Sequence, residues 1–289
     1  MISGSLVAIV TPMKSDGRVD WGNYEKLIEF HIENGTNGIV SVGTTGESAT
    51  LSPAEHIECV TFAVKTVAGR IPVIAGSGSN STKEAIHFAK AGQTAGADAH
   101  LSVAPYYNKP NQRGLLAHFS TIAQACDLPL ILYNVPGRTA SDIAVETVAK
   151  LAEIPNIIGI KEASTIERCR ELLAACPKDF AIYSGEDPIN CQIISEGAAG
   201  AISVTANVAP RAMADVCRLA KIDIETAKRI DNSLAALHTD LFIEPSPAPV
   251  KWALSRMGLI DNHIRLPLLP LDERYYPVIE KALQRANIL

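Results

Sequence analysis

The sequence predicts an α/β chain, a (β/α)8 barrel with a C-terminal helical appendage. Three observations lead there. Short β-branched runs alternate with longer helical patterns at a spacing of roughly 25 to 30 residues, and eight such pairs fit into about 220 residues. The first run is followed by Val10-Thr11-Pro12-Met13 instead of a glycine fingerprint, which counts against an open doubly wound sheet. Strand signals stop after Pro210, and the chain to Leu289 reads as helix. We therefore expect a barrel over residues 1–222 and a helical domain over 223–289.

Taken in order, the strand candidates are Ser5–Thr11, Gly38–Val42, Pro72–Gly76, Asp98–Ala104, Leu130–Asn134, Asn156–Lys161, Phe180–Ser184 and Gly200–Val204. Each is a short apolar run, as expected for parallel strands buried on both faces. Helical patterns over Trp21–Asn34, Pro53–Ala68, Ser81–Ala95 and Gln112–Cys126 separate the first of them, with Ser81 or Thr82 as N-cap and Glu84 close behind. In the tail, the alternating prolines of Glu244–Pro249 predict extended backbone, and Pro249 suits the first position of a helix.

Composition narrows the function. The chain has 289 residues, 47% of them hydrophobic and 20% charged, with a net charge of −5 and no basic cluster interleaved with aromatics. Nucleic acid and a polybasic membrane contact are not indicated, and a small-molecule partner is. Neither a signal segment nor an apolar run of the roughly 20 residues needed to span a bilayer is present, so a cytoplasmic location is expected. Six scattered cysteines without a C-x-x-C pair read as free thiols.

The stretch that draws attention is Asn156-Ile157-Ile158-Gly159-Ile160-Lys161-Glu162-Ala163, an apolar strand ending on a lysine. A period of two puts Ile157, Gly159 and Lys161 on one face, with Gly159 leaving space beside the lysine stem. Burial disfavours an ammonium, and a free amine attacks carbonyls. A lysine snorkelling from a strand end is the ordinary alternative.

The other strand ends supply partners, because barrel chemistry collects there. Gly43-Thr44-Thr45-Gly46-Glu47 offers backbone N–H groups and two hydroxyls. It lacks the G-K-[ST] of a phosphate loop, and Glu186 and Asp187 after the seventh strand disfavour phosphate, so a carboxylate is the favoured ligand. Tyr133 shares parity with Ile131 and should point inward, placing a phenol beside the amine. Arg138 follows a Val-Pro-Gly turn, a bidentate donor at the rim. Tyr106 and Tyr107 fit either loop packing or an intersubunit contact. Five of the seven histidines fall in helices, one in the tail and His100 in a strand, so no metal or other cofactor is expected.

These residues and their order resemble the dihydrodipicolinate synthase family of the pyruvate-dependent class I aldolases, a superfamily that also holds N-acetylneuraminate lyases. The likeness runs from Gly4–Pro12 through Val42–Ser48, Tyr133–Pro136, Gly159–Glu162 and Ile202–Asn207. It implies a Schiff base between Lys161 and pyruvate, with the carboxylate on Thr44 and the N–H of Thr45 and backbone contacts from Gly185 and Ile202. Tyr133, Thr44 and a Tyr107 lent by a second subunit would relay protons, and Arg138 would hold the carboxylate of L-aspartate 4-semialdehyde. The product would be 4-hydroxy-tetrahydrodipicolinate, on the way to diaminopimelate and lysine. A homotetramer or dimer is implied as well. The Y-N-V-P-x-R-T continuation separates the chain from neuraminate lyases, so sugar-acid cleavage is the alternative, and a keto-acid-binding barrel without turnover a more distant one. Feedback inhibition by L-lysine would use Ser48, Ala49, His56, Asn80, Glu84 and Tyr106. Pro53 departs from a frequent histidine there, and Glu186 from a frequent aspartate.

Overall fold

The computed structural model describes all residues from Met1 to Leu289. Its strands are β1 (Gly4–Ala8), β2 (Gly38–Ser41), β3 (Val73–Gly76), β4 (Ala99–Val103), β5 (Leu130–Asn134), β6 (Ile157–Glu162), β7 (Ala181–Ser184) and β8 (Gly200–Ser203). They pair in sequence order, all parallel, and β8 returns to β1 to close a (β/α)8 barrel. Around it run α1 (Trp21–Glu33), α2 (Pro53–Val67), α3 (Thr82–Ala95), α4 (Gln112–Ala125), the one-turn α5 (Pro136–Thr139), α6 (Val145–Leu151), α7 (Ile166–Ala175), α8 (Asn190–Ser195) and α9 (Pro210–Leu219). The tail adds α10 (Ile224–Asp240), α11 (Ala248–Arg256) and α12 (Tyr276–Arg285). No helix is long and apolar enough to cross a membrane.

Local sequence explains the helix starts. Ser52 and Glu55 cap α2 reciprocally, and the Ser81 hydroxyl accepts from the Glu84 N–H at the head of α3. Most of the apolar core lies between the strands and the helices. The barrel interior is a separate, smaller cluster in which large side chains such as Leu6, Ile74 and Tyr183 alternate with Ala8, Ala99 and Ala181. Its lower layers are filled, so a ligand can enter only at the mouth.

Three local expectations need correction. β1 leaves its ladder at Ala8, well before Thr11, because the Val10 N–H is taken by Asn207 Oδ1 at 3.1 Å; Asn207 Nδ2 in turn donates to the Ala8 carbonyl. A register shift between β5 and β6 opposes Leu130 to Ile157 but Ile131 to Gly159. The extra residue moves Ile157 into the outer core and brings Ile158 against the interior, while Lys161 keeps its inward face. Glu244–Pro247 turns instead of extending, with the Ala248 N–H closing on the Pro245 carbonyl. Pro249 is accordingly the second residue of α11.

Polar joints tie the tail to the barrel. Thr205 Oγ1 meets His238 Nδ1 at 3.0 Å, and His238 Nε2 meets Asp231. Arg265 binds Glu55 through both guanidinium nitrogens, and Lys251 pairs with Glu47.

Candidate active site

Lys161 and Tyr133 are direct register partners on β6 and β5, so two inward-facing side chains meet at the mouth. Lys161 is 6% exposed, forms no ion pair, and sets its Nζ over the Tyr133 ring at 4.4 Å from the centroid. One close approach of the chain makes room for it. A Cβ on Gly185 would lie 2.8 Å from Lys161 Cε, so Gly185 is the residue that clears the lysine stem. Gly159, expected to do this, has another role: a Cβ there would meet the Ala181 carbonyl oxygen at 2.4 Å, and its absence lets β7 approach β6.

Behind the lysine, Glu162 is fully buried on the outer face and is held by the Asn134 amide and the Ser164 hydroxyl, the latter at 2.7 Å. Burial holds its carboxyl above the ordinary range, with the hydrogen bonds opposing. On the mouth side, burial and then the neighbouring Asp187 raise the Glu186 carboxyl, while Lys161 and Arg138 pull the other way.

The β2 turn is closed by its own backbone, with the Gly46 N–H on the Gly43 carbonyl and the Glu47 N–H on Thr44. The N–H groups and hydroxyls of Thr44 and Thr45 have no partner in the chain, which leaves a cluster of donors for an anion. Arg138, in α5, is exposed and unpaired at the rim. Ile202 belongs to the barrel interior. A cavity of about 390 Å³ touches Thr44 and Arg138, and Lys161 is not part of its lining.

The same cavity reaches Ser48, Ala49, His56, Glu84 and Tyr106, together with Pro53. Asn80 stays outside its lining and donates to the Tyr106 carbonyl at 3.2 Å. His56 is more committed than its sequence suggests: Nε2 meets the Gly76 carbonyl at 2.7 Å, and the ring stacks on Phe88 at 4.1 Å. Burial lowers its pKa, with the Gly76 hydrogen bond and Glu84 opposing. Glu84 accepts from Ser79 Oγ through one oxygen. Tyr107 is 88% exposed on left-handed backbone (φ 72°). The histidines are engaged elsewhere, His100 with Ser77 and His31 with Thr36, and no three His, Cys, Asp or Glu side chains come together as metal ligands.

Sequence reasoning missed the Glu47–Lys251–Arg265 joint and the clearance at Gly185. A lone lysine inside the apolar run Pro249-Val250-Lys251-Trp252-Ala253-Leu254 was the available signal for the first. The second depends on how closely the chain just after β7 approaches β6, which no local pattern encodes.

A closed barrel with an unpaired amine at the end of its sixth strand, facing a phenol, is the architecture of a class I aldolase-type lyase. The chain belongs to the dihydrodipicolinate synthetase family, whose model matches residues 1–286. It is 56% identical, over the full length of both chains, to a 4-hydroxy-tetrahydrodipicolinate synthase of Pseudomonas putida. Among solved structures it is similar to the chloride-inhibited dihydrodipicolinate synthase of Acinetobacter baumannii complexed with pyruvate, with a TM-score of 0.99 and 54% identity over the whole of both chains. It is also similar to the lysine-bound enzyme of Cyanidioschyzon merolae, at a TM-score of 0.95 and 40% identity, covering 100% of this chain and 99% of that one.

Proposed function

We propose that this barrel condenses pyruvate with L-aspartate 4-semialdehyde to 4-hydroxy-tetrahydrodipicolinate, the first committed step toward diaminopimelate and lysine, through a Schiff base on Lys161. The observation that carries the reading is the buried, unpaired Lys161 amine over Tyr133, a phenol that lines one small cavity together with Thr44.

The amine adds to the keto carbon of pyruvate, and loss of water gives the imine. Thr44 and the Thr45 N–H seat the carboxylate, with Gly185 and Ile202 shaping the floor. The imine nitrogen withdraws electrons from the methyl group, a proton leaves, and the enamine carbon attacks the semialdehyde. Tyr133, Thr44 and Tyr107 from a second subunit carry protons between these groups. Arg138 holds the second substrate's carboxylate in a charge-assisted pair. Attack of the semialdehyde amine on the imine carbon closes the ring and expels Lys161.

Tyr107, exposed on its own subunit, fits the reading only in an oligomer, and we place the chain in a dimer or a tetramer built from dimers. The division into a barrel of residues 1–222 and a helical domain of 223–289 belongs to the same reading; it falls in the turn between α9 and α10. L-lysine as a feedback inhibitor is supported by the cavity that joins Glu84 and Tyr106 to Ser48. Initial rates at sub-saturating pyruvate should fall in millimolar lysine, and unchanged rates would remove that part. Purified protein given pyruvate and L-aspartate 4-semialdehyde should consume pyruvate; consumption absent there, or pyruvate released from N-acetylneuraminate, would contradict the reading.

A further inference from the structure

The anion-binding donors of Thr44 and Thr45 are useful only if their turn sits at the right height above Lys161. The turn's internal hydrogen bonds close it without fixing its position on the barrel. That position depends on a few outside contacts. Thr11 Oγ1 donates to the Gly46 carbonyl at 2.7 Å, joining the turn to the segment after β1. Next to it stands Glu47, 4% exposed and on left-handed backbone (φ 60°), a conformation that a non-glycine residue keeps only where its surroundings enforce it.

The enforcing groups come from the far end of the sequence. Lys251 of α11 is 1% exposed. Its Nζ pairs with Glu47 Oε1 and donates to the Thr11 carbonyl at 3.0 Å, so one ammonium bridges the segment after β1 and the β2 turn. Glu47 Oε2 accepts the Arg265 N–H at 3.1 Å, and the Arg265 guanidinium holds the Thr50 carbonyl and Glu55 further along. Both oxygens of Glu47 are thus engaged by the helical tail, at a residue two positions beyond Thr45.

We propose that Lys251 is a positioning residue for the carboxylate seat: through its buried pair with Glu47 it sets where the Thr44–Thr45 donors stand relative to Lys161. The helical tail thereby tunes keto-acid affinity without touching the substrate. The inference rests on the pyruvate reading of the site and adds to it which part of the chain sets affinity for the first substrate.

The test uses the full-length protein and the pyruvate concentration at which borohydride traps half of the maximal adduct. The double variant Glu47→Gln with Lys251→Met removes the ionic bridge without leaving a buried charge alone. It should need at least about tenfold more pyruvate for half-trapping, reach the same maximal adduct at saturation, and keep its KM for L-aspartate 4-semialdehyde within about twofold. Leu254→Ala, fully buried on the same helix, is the control for lost stability alone and should trap at the wild-type concentration despite a lower Tm. If the double variant does not fold, Glu47→Asp, which keeps the charge but withdraws the carboxylate by one methylene, carries the same expectation. A wild-type half-trapping concentration in the bridge variant, or an equal rise in Leu254→Ala, overturns the proposal. Wild-type protein forming no adduct at all would instead overturn the pyruvate reading itself.

Discussion

Lys161 and Lys251 are both almost wholly buried, yet the chain treats them in opposite ways. Lys251 is surrounded by acceptors, with Glu47 and the Thr11 carbonyl on its nitrogen. Lys161 has no carboxylate partner and faces an aromatic ring. Burial pulls the Lys251 ammonium below the usual lysine range, and Glu47 opposes that pull. Under the proposed reaction the difference is one of use: an amine that is to attack a carbonyl cannot be locked in an ion pair, whereas an amine that is to fix a turn must be. The chain therefore holds one unpaired lysine and one paired lysine, both buried.

Substitutions should separate the two. Lys161→Met should lower turnover by at least about 10³-fold while leaving unfolding free energy equal or higher, because no partner charge is left behind. Turnover and urea unfolding on the same sample check this. Lys251→Met should do the reverse to stability, costing about 3–5 kcal/mol in urea unfolding by stranding the Glu47 carboxylate. Tyr133→Phe should reduce kcat by about 10²- to 10⁴-fold with little change in Tm, since it removes only a proton carrier.

The two glycines where β6 and β7 approach closely sharpen the contrast further. Gly159→Ala presses on a backbone carbonyl and should cost about 1–3 kcal/mol of stability. Gly185→Ala presses on both Lys161 Cε and the rigid Ala163 Cβ and should slow adduct formation besides costing stability, which Gly159→Ala, whose close contacts are all with Ala181, should not do; trapping rates and thermal unfolding read the two effects. The smallest effect lies in acid. The Arg265 guanidinium holds the Glu55 carboxyl down to about 2 from an ordinary 4.5. A depressed carboxyl stabilises the fold above the unfolded pKa and loses that contribution as pH falls through the folded one. The stability gap between the wild type and Glu55→Gln should therefore be constant above about pH 5 and shrink between there and pH 2; a gap that grows in acid would show that Glu55 is not so held.

The sequence carried much of this architecture for reasons that can be named. Eight apolar runs at a regular spacing follow directly from strands buried on both faces. Lys161 and Tyr133 were readable because period-two parity survives at the mouth end of β5 and β6. It fails at the other end, where the register shift turned Ile157 outward, and swapping the faces of the adjacent Ile157 and Ile158 leaves no mark in the sequence. Gly159 was legible as special but not for its true reason, because the Ala181 carbonyl that crowds it comes from the next strand. The Glu47–Lys251 bridge spans 204 residues, and no spacing rule reaches that far.

The measurement that bears most directly on the account is borohydride reduction of the protein in the presence of pyruvate, followed by peptide mapping by mass spectrometry. The account predicts one reduced pyruvate adduct, on the peptide that contains Lys161, with the Lys251 peptide unmodified. An unlabelled Lys161 peptide, or label on Lys251, would contradict it.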